Sequence, residues 1–190
     1  MSDPSLSLGA SRLVLRLAAP ADVPAILAFF EENRAHLSPY EPARSADFYT
    51  PARWVDQVRR NQEEFEAGQS LRLFVFLRDR PSQVIGSVNF TAIQRGVAQM
   101  CNLGYALAAE AQGHGYMAEA LEVAIAYVFE TLNLHRIQAN YMPRNQRSGN
   151  LLKRLGFVTE GVARDYLQIN GRWEDHILTS LTHPHWRPIP

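Results

Sequence analysis

At 190 residues, with 46% hydrophobic and 20% charged, the chain is long enough to bury a core and is expected to form one domain over residues 1–190. Nineteen basic residues balance nineteen acidic ones, so no net field draws the chain to DNA or to an anionic membrane, and a basic partner has to be met by a local acidic patch. Cys101 is the only cysteine and has no partner for an internal disulfide, and no membrane-length apolar run or basic-then-apolar leader is seen; the expected compartment is the cytoplasm.

Residues 1–11 are small and polar and are expected to be a flexible N-terminus. Residues 12–17 alternate as a strand. Asp22 is the expected N-cap of a helix that carries Ile26, Leu27, Phe29 and Phe30 on its apolar side and ends near His36. Residues 38–49, with Pro39 and Pro42, fit neither period. Thr50-Pro51 reads as cap and first position of a second helix, which Gly68 stops. Residues 71–77 and 84–91 are expected to be an antiparallel hairpin turning at 79–82, and residues 98–107 continue the meander. Met117, Ala120, Leu121, Ala124, Ile125 and Val128 space a helix over 117–129. A strand follows at 136–141. Asn145 caps a helix that turns Leu151, Leu152 and Leu155 inward and stops at Gly156. Residues 166–181 form a hairpin around Asn170-Gly171, and 183–190, with three prolines, is a tail.

The segment Gln112-Gly113-His114-Gly115-Tyr116-Met117 joins a strand to that long helix. Glycines there allow positive φ and a close backbone approach, so successive N–H groups can face one anion at a helix N-terminus. His114 either touches the anion with its ring or faces solvent and offers its backbone N–H. A bare tight turn is the simpler alternative. Gly113-x-Gly115-x-x-Ala118 also fits a relaxed dinucleotide fingerprint, but the next strand ends Asn140-Tyr141-Met142-Pro143, without the acid that would take the ribose. The six histidines are scattered, so no metal is expected, and Cys101 reads as a core residue in place of an acyl-carrying nucleophile.

Together with Asn145, Ser148, Leu155-Gly156-Phe157 and the strand Asn102-Leu103-Gly104-Tyr105-Ala106-Leu107, this loop resembles the GCN5-related N-acetyltransferase (GNAT) family in content and order. Gln112-x-x-Gly115 is similar to the family's loop for acetyl-coenzyme A, and Met117 departs from its last Gly or Ala. Glu32-Asn33-Arg34, Glu41-Pro42, His135-Arg136-Ile137, Arg147-Ser148-Gly149 and Asp165-Tyr166-Leu167 resemble its ribosomal members. The resemblance implies an α/β (α+β) fold with a mostly antiparallel central sheet, two parallel strands splaying near residues 105 and 138, and flanking helices. It implies acetyl-CoA as co-substrate, no metal, and three sets of contacts. Main chain of Tyr105, Ala106 and Leu107 meets pantetheine, the amides of Gln112, Gly113, His114, Gly115, Tyr116 and Met117 meet pyrophosphate, and Asn145 and Ser148 complete the site.

The implied acceptor is the α-amine of an N-terminal alanine on a ribosomal protein, approached past Glu31, Glu32 and Glu41; a solvated helix face is the plainer reading of the first two. Another peptide, a polyamine, an aminoglycoside, or a binding module in contact with a ribosome precursor stay open, as do monomer and homodimer. Where relatives carry a catalytic Glu or Tyr this chain has Asn102, Asn140 and Leu152. Ser148 is therefore the expected proton donor to the thiolate, and Glu41, Asp165 and Tyr166 are the candidates for relaying a proton from the amine.

Overall fold

The computed structural model describes residues 6–188. In chain order the elements are β1 (Ser7–Gly9), β2 (Leu13–Arg16), α1 (Val23–Glu32), α2 (Arg34–Leu37), α3 (Pro51–Glu66), β3 (Leu71–Leu77), β4 (Arg80–Gln94), β5 (Met100–Leu107), α4 (Tyr116–Ala126), β6 (Arg136–Tyr141), α5 (Gln146–Arg154), β7 (Val158–Ile169) and β8 (Arg172–Thr182). The strands form one sheet in the order β1-β2-β3-β4-β5-β6-β8-β7. All neighbours are antiparallel except β5 and β6. A parallel dinucleotide-binding sheet starting at the glycine loop is thereby excluded.

Leu-Arg-Leu-Phe-Val-Phe-Leu of β3 is buried almost throughout, as a strand covered on both faces requires. Helices α1 and α3 pack on each other and on β4 and β3, while α4 packs on β1, β2 and β4. Trp54, Val58, Asn61 and Phe65 line the buried face of α3 at helical spacing. The Thr50 side chain accepts from the Arg53 amide at 3.4 Å, so the cap read from the sequence is present. Trp54 stacks on Phe30 with centroids 5.0 Å apart and donates its indole N–H to the Phe48 carbonyl at 2.8 Å. That contact fixes residues 46–49, which take a 3-10 turn where the sequence suggested no regular structure. Among the described residues no helix is long and apolar enough to cross a membrane.

Several expectations are corrected. Ser7–Gly9 is an edge strand, paired through Ser7↔Arg16, so the flexible N-terminus does not extend to residue 11; residues 1–5 lie outside the described part. The C-terminal segment docks: the His183 amide donates to His135 O at 2.8 Å and the Trp186 indole to Asn133 O at 3.0 Å, with residues 189–190 again outside the description. Asp22 does not cap α1 with its side chain. The helix expected to reach His36 breaks at Asn33, whose buried amide side chain turns back to Phe29 O at 2.9 Å. The end of α4 widens into a π turn, Tyr127–Thr131, before the fully buried Leu134. Strand β7 starts at Val158, well before residue 166, because its pairing with β8 continues through two irregularities.

The Asp22 carboxylate instead receives Arg16 through both terminal nitrogens, at 2.5 and 2.6 Å, and the Ala19 amide at 2.8 Å. Burial disfavours the charge, but the Arg16 hydrogen bonds, the Ala19 amide and the Arg16 charge outweigh it and hold this carboxyl below its ordinary range. A depressed folded-state value adds stability above the unfolded value near ~3.9, and that stability is lost as pH falls through the folded value. Asp22→Asn is expected to cost about 1–2 kcal/mol at neutral pH in urea unfolding, with the difference from wild type closing below about pH 3. A gap that stayed constant with pH would contradict this account.

Candidate active site

Strands β5 and β6 pair only through Met100↔Arg136, Cys101↔Ile137 and Asn102↔Gln138. The Gln99 carbonyl pins the start of β6, accepting the His135 and Arg136 amides at 2.8 and 3.1 Å. Beyond Asn102 the strands part, β5 staying on β4 and β6 following β8. A cleft of about 980 Å³ opens between them. The Ala108 amide donates to Ile85 O on β4 at 2.8 Å, so by strand alternation Ala106 also turns its backbone groups to β4. Tyr105 and Leu107 alone of the three expected residues offer N–H and C=O to the cleft. Ala106 lines it without a free backbone edge.

One end of the cleft is the glycine loop. Gly113 and Gly115 have φ of 81° and 78°, a region that side chains with a Cβ avoid. The Gln112 amide is already spent on Ala109 O at 3.3 Å, which removes it from the expected donor set. Among the described residues the amides of Gly113, His114, Gly115, Tyr116 and Met117 have no acceptor. The His114 ring is not part of the cleft lining: it stacks on Tyr116 at 5.5 Å and bonds Gln112 O at 2.8 Å. Arg12 braces the loop from behind, donating to His114 O at 3.0 Å and pairing with Glu119 at 2.8 Å.

On the α5 side, the Asn145 side chain accepts the Ser148 amide at 3.3 Å, and Asn145 and Ser148 both line the cleft. Ser148 Oγ lies 2.7 Å from the Tyr105 hydroxyl, a pair the sequence did not foreshadow. Burial pushes the Tyr105 phenol up to about 12, against the Ser148 hydrogen bond, so it stays protonated. The Tyr141 ring presses on Gly149 so closely that a Cβ there would lie 2.6 Å from it. Arg147, which sequence reasoning also missed, donates to the Gln112 side-chain oxygen, and Gln112 in turn donates to His36 at 2.7 Å.

The opposite end is walled by His36, Leu37, Tyr40 and Glu41, with Arg144 and His176 facing them. Glu41 lines the cleft, but its carboxylate is held by Arg44 at 3.0 Å. Glu31 and Glu32 are exposed and are not lining residues. Asp165 and Tyr166 do not enter the cleft either, because β7 is the outer strand of the sheet and β8 stands between. Asp165 sits in a β7 irregularity with φ 45° and donates its amide to Asp175 at 2.9 Å. Tyr166 meets only the edge of His176, at 5.8 Å. Cys101 is fully buried and pushed by burial up to about 12, unsuited to carry an acyl group. Among the described residues no group of three or more His, Cys, Asp or Glu is placed to hold a metal.

Comparison with known proteins agrees with this arrangement. Residues 12–158 match the acetyltransferase (GNAT) domain family. The chain is 43% identical over 185 residues to the [ribosomal protein uS5]-alanine N-acetyltransferase of Escherichia coli K12, covering 97% of this chain and 95% of that one. The structure of the ribosomal-protein-S5-alanine acetyltransferase from Vibrio fischeri superposes with a TM-score of 0.92 at 39% identity, covering 96% of this chain and all of that one. Mycobacterium smegmatis RimJ in complex with CoA-disulfide gives a TM-score of 0.87 at 26% identity, covering 94% and 88%. With its parted strands, glycine loop and near full-length relatives, this chain belongs to the GNAT family of N-acetyltransferases.

Proposed function

We propose that the protein transfers the acetyl group of acetyl-CoA to the α-amine of an N-terminal alanine on a ribosomal protein in the cytoplasm. The observation that carries the acceptor is the 43% identity, over 97% of the chain, to an enzyme named for that reaction on protein uS5. The cleft supports the co-substrate. Its free Tyr105 and Leu107 backbone groups suit the amides of a pantetheine arm, and the open amides of residues 113–117 suit a pyrophosphate at the N-terminus of α4. Arg147 lies beside that loop with only an amide oxygen for a partner among the described residues, ready to meet phosphate charge. The Asn145 side chain also lines the cleft.

Attack is direct in this reading, since the only cysteine is buried. An N-terminal amine, with an ordinary pKa of about 7.7–8.0, costs less than ~1 kcal/mol to deprotonate at about pH 7.5, against roughly 4 for a lysine near 10.4. Positioning then supplies much of the acceleration. Ser148 is the donor to the departing thiolate, and the Tyr105 hydroxyl at 2.7 Å, kept protonated by burial, backs it. Glu41 lines the acceptor wall with its carboxylate already paired to Arg44.

Gly115→Glu is expected to abolish acetyl-CoA binding in calorimetry with the fold intact, because a residue with a Cβ is strained at φ 78° and a carboxylate there would draw Arg12 off its brace on the loop, so that the amides lose their common aim; unchanged affinity would refute the loop's role. Ser148→Ala should lower kcat about tenfold or more with acetyl-CoA affinity little changed, and wild-type turnover in that variant would remove Ser148 from the mechanism. Intact-mass spectra of ribosomal proteins from cells with and without the gene are expected to differ by one acetyl group on an N-terminal alanine. Identical spectra would rule out the ribosomal acceptor.

A further inference from the structure

Resting on the acetyl-transfer reading above, we infer that His176 is the catalytic base that takes the proton from the incoming amine through its Nε2. His176 is on β8 and only 4% exposed, yet it lines the cleft. Its Nδ1 lies 2.9 Å from the carbonyl of Glu174. A carbonyl can only accept, so Nδ1 carries the hydrogen, and in the neutral ring the lone pair is on Nε2. Among the described residues Nε2 has no hydrogen-bond partner, and the one buried side-chain atom left unsatisfied is His135 Nδ1. Nε2 is therefore not sealed in the core, and the ring that carries it lines the open cleft.

Register places that ring beside the parted strands. Asn140 of β6 is opposite Leu178 of β8, and His176, two residues along β8, projects from the same face as Leu178. Asn140 and His176 both line the cleft, diagonal neighbours on one face of the sheet.

The one carboxylate and the one other imidazole of the lining are engaged elsewhere, and its remaining ionisable groups are arginines and phenols. Glu41 is paired with Arg44, and Glu174, beside the ring, is paired with Arg144 and held below the ordinary carboxylate range by it. His36 accepts from Gln112 through its own Nε2. Tyr105 is bound to Ser148 and stays protonated. Tyr166 touches the His176 ring by its edge and contributes no hydrogen bond to it. That leaves the His176 imidazole as the open nitrogen acceptor of the lining, the side-chain type that general-base catalysis uses most often.

The protons balance as follows. One proton of the α-ammonium passes to Nε2 and from there to solvent. The freed nitrogen forms its bond to the thioester carbonyl carbon, and the carbon–sulfur bond breaks. Ser148 gives its hydroxyl proton to sulfur, a second proton leaves the nitrogen as the adduct collapses and replaces it through solvent, and the third remains on the amide nitrogen. The net products are the acetylated amine, free coenzyme A and one released proton.

The test uses His176→Asn, which keeps a donor where Nδ1 stands and removes the base. Turnover is measured with acetyl-CoA and a peptide beginning with alanine, and acetyl-CoA affinity is measured separately by calorimetry. The expected result is a fall in kcat of about 100-fold or more, with affinity within about twofold of wild type. Added imidazole is expected to restore part of the loss in His176→Ala. Wild-type kcat in His176→Asn overturns the inference while leaving the acetyl-transfer reading intact, and a parallel loss of acetyl-CoA affinity overturns it in favour of a structural role. Wild-type protein that binds acetyl-CoA but acetylates no α-amine peptide overturns the reading of the function, and the role of His176 with it.

Discussion

The structure depends on the parting of β5 and β6 after three residue pairs. Backbone N–H and C=O groups are obligatory hydrogen-bonding groups, and an edge that leaves them open inside a sheet is a standing demand for a partner. Here the demand falls on Tyr105 and Leu107, since alternation gives Ala106 to β4. An extended ligand with amides of its own can meet it as an added strand would, by main-chain hydrogen bonds. The sheet cannot close this gap itself, because β6 is already held on its far side by six residue pairs to β8. The Gln99 carbonyl, which accepts the His135 and Arg136 amides, sets where the pairing begins, three residue pairs before the strands part.

A gap in a sheet is useful only if its walls stay in place, and single polar side chains do much of that here. Asn33, 7% exposed, donates to Phe29 O and accepts the Ala109 amide at 2.8 Å, which ties the end of α1 to the approach of the glycine loop. Arg144 reaches both Pro39 O and Glu174, linking the acceptor wall to β8. The Asn170 amide donates to Glu41 O at 2.9 Å, so the tip of the β7–β8 hairpin rests on the same wall. A buried group such as Asn33 is costly when unpaired and orienting when paired. The bridge from Arg147 through Gln112 to His36 differs, because it spans the anion loop itself. An anion seated there competes for Arg147, which couples the loop to the acceptor wall.

Much of this was legible in the residues where local chemistry decides. The strands at 71–77 and 136–141, the Thr50 cap, the Gly156 stop with φ 87° and the Asn170-Gly171 hairpin follow from patterns a few residues long. Ser7–Gly9 was missed because three residues are too few to show a period, and its strand exists only through β2. The docking of Trp186 on Asn133 is likewise long-range. In the site, the glycine loop and Ser148 were visible because they are contiguous with a helix start. Asp165 and Tyr166 were misplaced because the irregularity between Ala163 and Leu167 and the outer position of β7 are tertiary facts. His176 was counted among scattered histidines, and only the order β6-β8-β7 brings it to the cleft.

The cleft is polarised in a way that net charge conceals. On the β5 and α5 side its groups are donors: the open amides of the loop, Arg147, and the Tyr105–Ser148 hydroxyl pair, which burial keeps protonated. On the wall and β8 side the carboxylates are already paired, Glu41 with Arg44 and Glu174 with the lining Arg144, and the open group is the imidazole of His176, whose donor end is turned to its own strand. A reaction that gathers negative charge on sulfur and releases a proton from nitrogen has to run from the second side toward the first. Preorganised dipoles of fixed sense are the least costly means of imposing that direction, since they need not reorient as charge moves. A chain with equal numbers of basic and acidic residues can thus offer open donors on one side and an open acceptor on the other, provided the parted strands keep those faces apart.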